Sequence, residues 1–131
     1  MKSRILFVIT IACTLGAWLP SANASGYLTP FGTGVAVTDY MVNNNVGYGG
    51  SAIGITILLS PNAVNNPDSC GSTALLHIKS SAHGYKEMVA AVMAAVASGR
   101  RIGFHSSGCE LLPFFGGTTT YPIVTDLWVV N

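Results

Sequence analysis

Lys2 and Arg4, an uncharged apolar run from Ile5 to Leu19, then Pro20 and an Ala22-Asn23-Ala24 ending stand at the N-terminus in the order a signal peptidase reads. This feature decides how much chain is left to fold. The apolar run is about 15 residues, short of the roughly 20 that a membrane-spanning helix needs. Residues 1–24 are therefore expected to be cleaved as a signal peptide, leaving Ser25 to Asn131, 107 residues, as one small domain. The expected location is periplasmic or secreted, with no membrane insertion.

Export sets the redox chemistry. Cys13 departs with the leader, and Cys70 and Cys109 remain as a pair in an oxidising compartment, so a disulfide between them is expected. The bridge would enclose 38 residues, which the loop-entropy model values at about 4 kcal/mol. Two free thiols or two metal ligands are the alternatives. The mature segment carries Lys79, Lys86, Arg100 and Arg101 against Asp39, Asp68, Glu87, Glu110 and Asp126, a net charge of −1. That balance has no electrostatic footprint for nucleic acid or an anionic membrane.

Periodicity orders the rest. Residues 25–33 are rich in Gly, Ser, Thr and Pro and predict an entry segment without regular structure. Gly34 to Val42 predicts a strand with Val35, Val37 and Met41 on one face and Ala36, Thr38, Tyr40 and Val42 on the other. An Asn/Gly-rich connection follows. Ser51 to Leu59 alternates strictly through Ile53, Ile55, Ile57 and Leu59. After a loop from Ser60 to Ser72, Thr73 to Lys79 predicts a third, short strand.

Tyr85, Met88, Val89, Val92, Met93 and Val96 then form a single apolar stripe at helical spacing, with Ser80 or Ser81 as N-cap and Gly99 as C-terminal stop. Ala90, Ala91, Ala94, Ala95 and Ala97 occupy positions where an isolated domain normally places Lys and Glu. Either helix propensity or packing against another subunit accounts for them. Arg100 to Ser106 and Tyr121 to Val130 predict the last two strands, with a loop from Leu111 to Thr120 between them. The fold expected is mainly β with one helix, in the order βββαββ of a five-stranded OB-type barrel, carrying one disulfide. A sandwich-like α+β domain has the same elements.

Catalytic patterns are missing from the chain: no phosphate-cradling glycine loop, no nucleophile elbow and no histidine pair at helical spacing. His77 and His105 lie on predicted strands and could approach one another, but two histidines without a carboxylate or thiolate rarely hold zinc. His83 reads as a solvated residue beside the helix start. The expectation is a non-enzyme with no cofactor and no metal. Tyr27, Tyr40, Tyr48, Tyr121 and Trp128 are more suggestive, because sugars stack on aromatic faces flanked by Asn, Ser and Thr. Trp128 by itself is expected to be a partly buried aromatic with its polar tip satisfied.

Two stretches resemble a known family. Thr33 to Tyr40, Thr-Gly-Val-Ala-Val-Thr-Asp-Tyr, looks like the first strand of the B subunits of subtilase-cytotoxin and pertussis-like AB toxins. Tyr85-Lys-Glu-Met-Val through Ala97-Ser-Gly-Arg-Arg-Ile102 is similar to their helix and its exit into the next strand. The resemblance implies an OB-type fold, assembly into a homo-oligomeric ring of five, and binding of sialylated or related glycans on host surfaces, with a catalytic toxin subunit as a further partner.

On those matches the glycan or glycoprotein contacts would fall to Thr33, the hydroxyl residue before the first-strand glycine, to Asp39 in the same stretch, and to His105 and Ser106. The last two stand where the family carries an aromatic side chain. The cysteines are placed differently, since the family bonds a pair around its second strand; the bracketing by Cys70 and Cys109 resembles that of other small exported bacterial proteins. A monomeric exported protein that binds or inhibits another protein is the alternative function.

Overall fold

The computed structural model describes residues 25–44, 53–63, 65–112 and 118–131. The expected signal peptide at 1–24 lies outside them, as do Tyr48 and most of the Asn/Gly-rich connection. Among the described residues seven elements follow in chain order: β1 (Ser25–Tyr27), β2 (Val35–Asn43), β3 (Gly54–Leu59), β4 (Leu75–Lys79), α1 (Tyr85–Ser98), β5 (Arg101–Leu111) and β6 (Thr120–Val130). The protein is mainly β with one helix, and Cys70 and Cys109 are disulfide-bonded with their Cα atoms 5.6 Å apart.

The order corrects the expected βββαββ, because a strand precedes the first one foreseen. β1 lies in the entry segment and pairs antiparallel with β5 through Ser25↔Ser107, Gly26↔Ser106 and Tyr27↔His105. Beyond it the Leu28 amide donates to the Phe104 carbonyl at 2.9 Å, and Leu28 and Thr29 are fully buried. A three-residue Ser-Gly-Tyr strand has no periodicity to read. It exists because β5 offers an edge.

β2 pairs with β3, β3 with β4, β4 with β6, β6 with β5, and β5 with β2, so the pairings form a closed circuit to which β1 adds at β5. All are antiparallel except β4–β6. Inside lie Val35, Ile55, Ile57, Leu59, Leu76, Ile78, Ile102, Phe104 and Val124, with Met88, Val92 and Ala95 of α1 packed against them.

The alternation expected in β3 holds. In β2 it breaks at a β-bulge between Val37, opposite Leu59, and Asp39, opposite Leu58. An extra residue reverses which face each following side chain takes. Tyr40 therefore packs against the core, whereas Met41, expected to share a face with Val35 and Val37, is exposed.

In α1 the expected cap is also replaced. The N-cap is Gly84 in the left-handed conformation with no side-chain cap bond, because Ser80 to His83 turn before the helix begins. Gly99, with φ 66°, does end the helix, and the Arg100 amide reaches back to the Ala95 carbonyl at 3.0 Å. Ala95 is buried and Met93 exposed, so one member of the predicted stripe gives way to an alanine; Ala90, Ala94 and Ala97 are exposed. β5 runs five residues beyond the expected Ser106 and carries Cys109 within it. No helix among the described residues is long and apolar enough to cross a membrane.

Candidate functional site

The β5–β6 pairing sets Gly103 opposite Trp128 and His105 opposite Asp126, and β1 sets Tyr27 opposite His105. A side chain at position 103 would collide with the indole, since a Cβ built there meets Trp128 Cε2, Cζ2 and Nε1. Glycine lets the ring lie against the backbone of β5. The indole Nε1–H donates to the Thr33 carbonyl at 2.9 Å. Thr33 closes the Pro30–Thr33 turn, its amide donating to the Pro30 carbonyl at 3.0 Å and its hydroxyl to the same oxygen at 2.6 Å.

That turn holds Phe31 out beside the indole. Three rings meet: Tyr27 and Phe31 with centroids 5.9 Å apart, Tyr27 and Trp128 at 5.8 Å, Phe31 and Trp128 at 5.5 Å. The His105 ring joins edge-on to Tyr27 at 5.2 Å. Phe31 is 75 % exposed and Tyr27 48 %. Large apolar side chains this open, gathered in one place, mark a contact surface more than a core.

A polar rim completes the shelf. His105 Nδ1 lies 3.1 Å from Thr125 Oγ1 and 3.8 Å from Asp126 Oδ2. A depression of about 410 Å³ is lined by Tyr27, Phe31, His105, Asp126, Leu127 and Trp128. On the other side of the turn, Thr33 and Arg101 are among the residues of a second depression, where Arg101 Nε donates to the Gly34 carbonyl at 2.9 Å.

Of the four residues expected to contact glycan, His105 lines the shelf, while Thr33 lines the second depression and meets the shelf through its carbonyl, which accepts the Trp128 indole N–H. Asp39 lines a different hollow, with Met41, Thr56, Leu58 and Leu75, and its Oδ1 accepts the Tyr40 amide at 2.7 Å. Ser106 is a correction to the expected site. It is fully buried, and its hydroxyl donates to Asp68 Oδ2 at 2.5 Å while the Gly108 amide donates to Oδ1 at 2.8 Å. Asp68 so clamps the β5 bend beside the disulfide, and Ser106 has no surface to give a ligand. Phe31 and Asp126 were missed in the sequence; a Pro-Phe-Gly turn, whose aromatic has no strand or helix to bury it, was the available signal for the first.

Of the other histidines, His83 is exposed before α1, as expected. His77 is fully buried, lowered from the ordinary 6.5 to about 4, first by burial and then by the Lys79 ammonium. Around it runs a polar seam across four strands. Asn43 Nδ2 donates to Thr56 Oγ1 at 2.9 Å, and Thr56 Oγ1 lies 3.4 Å from His77 Nδ1. His77 Nε2 faces Glu110 Oε2 at 3.9 Å, too long for a hydrogen bond, and Lys79 Nζ lies 3.4 Å from that oxygen. Among the described residues no group of three or more His, Cys, Asp or Glu side chains is placed to hold a metal ion.

No protein-family model matches the chain, and neither the curated proteins nor the solved structures give a match.

Proposed function

We propose that this protein is an exported, non-enzymatic subunit that binds host-surface glycans, with the Tyr27, Phe31 and Trp128 rings as its sugar platform. The observation that carries the reading is the exposed aromatic shelf, with His105 and Asp126 in its lining and the Thr33 carbonyl bonded to its indole. The C–H faces of a pyranose are apolar and stack on such rings, while its hydroxyls need the polar groups at their rim. On this reading the closed pairing circuit is an OB-type barrel to which β1 has been added, with α1 between its third and fourth strands. The Cys70–Cys109 bridge fits a periplasmic or secreted protein. The exposed alanines of α1 are then the face that meets a neighbouring copy in a toxin-like ring, beside a catalytic subunit.

A glycan array with the oxidised protein tests the reading, using Phe31→Ala and Thr33→Ala as controls. Phe31 is open to solvent, so its loss should abolish retention while leaving the fold intact, the melting temperature falling by no more than its two ring contacts allow, about 1–3 kcal/mol. Absence of any retained glycan would sink the proposal. Light scattering tests the assembly: about five monomer masses is the expected result for a ring, and a monomer points instead to a protein that binds or inhibits another in the envelope.

A further inference from the structure

Resting on the carbohydrate-binding reading, we infer that the shelf selects an uncharged pyranose, held on the Phe31 and Trp128 rings with its hydroxyls donating to Asp126, and that it discriminates against acidic sugars.

The rim is rich in acceptors. Asp126 brings carboxylate oxygens, on a side chain 75 % exposed, as acceptors. Thr33, which lines the second depression, has spent its one hydroxyl proton on the Pro30 carbonyl. The indole N–H is likewise committed, to the Thr33 carbonyl. Donors line the shelf as well, in the Tyr27 hydroxyl and the His105 ring, and a neutral sugar suits both, since its hydroxyls accept from these while two adjacent ones donate to the Asp126 carboxylate.

Charge argues the same way. The described residues lining the depression include Asp126 and no Lys or Arg. Arg101, on the same face of β5 as Gly103 and His105, lines the second depression with Thr33, where its Nε is bonded to the Gly34 carbonyl. A sugar carboxylate on the shelf would meet Asp126 as a like charge, with no Lys or Arg among those lining residues to offset it. Exposure of Asp126 leaves that repulsion partly screened, so the penalty is a few-fold and weakens with salt.

The rings themselves disfavour a quaternary ammonium ligand, the other class that suits aromatics beside a carboxylate. Such a cation sits over ring faces that open around it. Here Tyr27 stands edge-to-face on both Phe31 and Trp128, so the rings fill the space between one another and present a shelf.

The test is titration of the oxidised protein, followed by Trp128 fluorescence, the only tryptophan after residue 24. The probes are a galactose-terminated oligosaccharide, a glucose-terminated one, the N-acetylneuraminyl-capped form of the first, and choline. Saturable binding of a neutral probe, weaker by a few-fold for the capped form at low salt, is the expected result. Asp126→Asn should lower affinity for the neutral probe about ten-fold, the usual scale for hydrogen bonds to a charged group, and narrow the gap to the capped form.

Equal or tighter binding of the capped probe, or neutral binding unchanged in Asp126→Asn, overturns the inference and leaves the carbohydrate reading intact. Saturation by choline with no response to any sugar overturns both. Because Asp126 is exposed, a matching melting temperature for the variant will show that the loss is not one of folding.

Discussion

Gly103→Ala is the perturbation that ties the site to the fold most directly. The added methyl would occupy space taken by the Trp128 indole, directly across the β5–β6 pair. Backbone on one side and the Tyr27 and Phe31 rings on the other leave the indole two options. It can swing out, losing its bond to the Thr33 carbonyl, worth about 1 kcal/mol, and its ring contacts, about 0.5–1.5 kcal/mol each. Or it can stay, with strain of about 1–3 kcal/mol from overpacking.

The cost is then about 2–4 kcal/mol if the indole leaves and about 1–3 kcal/mol if it stays, which in a domain of this size lowers the melting temperature by about 5–20 °C. Differential scanning calorimetry reads the stability. Fluorescence reads the ring, and a swung-out indole should emit to the red. Glycan retention should fall in parallel, since the shelf loses its central ring. A variant that melts within about 2 °C of the parent with unshifted emission would refute the reasoning, because the indole could then not be packed against residue 103.

Replacing both Cys70 and Cys109 by alanine should cost about 4 kcal/mol, read as a lowered urea midpoint with a steeper slope, since the freed unfolded chain exposes more surface; a loss under about 1 kcal/mol would mean that the Asp68 clamp alone holds the β5 bend. Stability should fall on acidification through His77. The unfolded chain takes its proton near the ordinary 6.5 and the folded chain not until about 4, so the contribution is complete above 6.5 and is lost as pH falls toward 4. Its size is about 3 kcal/mol, and His77→Leu should flatten that part of the urea-midpoint profile, whereas a parallel profile would refute it. Ile57→Ala, at a fully buried β3 position, should cost about 2–5 kcal/mol, while Val42→Ala, 62 % exposed on β2, should cost little.

Much of the fold was legible because its signals are local. The β3 alternation, the helix with its Gly99 stop and the even pair of late cysteines each follow from a few neighbouring residues and the period of one element. The departures arose where distant residues decide. The Thr38 region carries no mark of a bulge, since the bulge answers to the register of β3. Ser80 and Ser81 have good capping side chains, but the turn geometry after β4 starts the helix at Tyr85.

The site divides in the same way. Thr33 and His105 were singled out through the family resemblance, and the aromatics beside loops through their neighbours in the chain. That Trp128 lies on Gly103, that a turn holds Phe31 against it, and that Ser106 is buried under Asp68 depend on pairings across 25 to 97 positions. Local sequence by itself determined which elements form, through backbone preference and apolar period. Only the tertiary structure decided which side chains meet, because contact between strands is set by register, and register is a property of two segments at once.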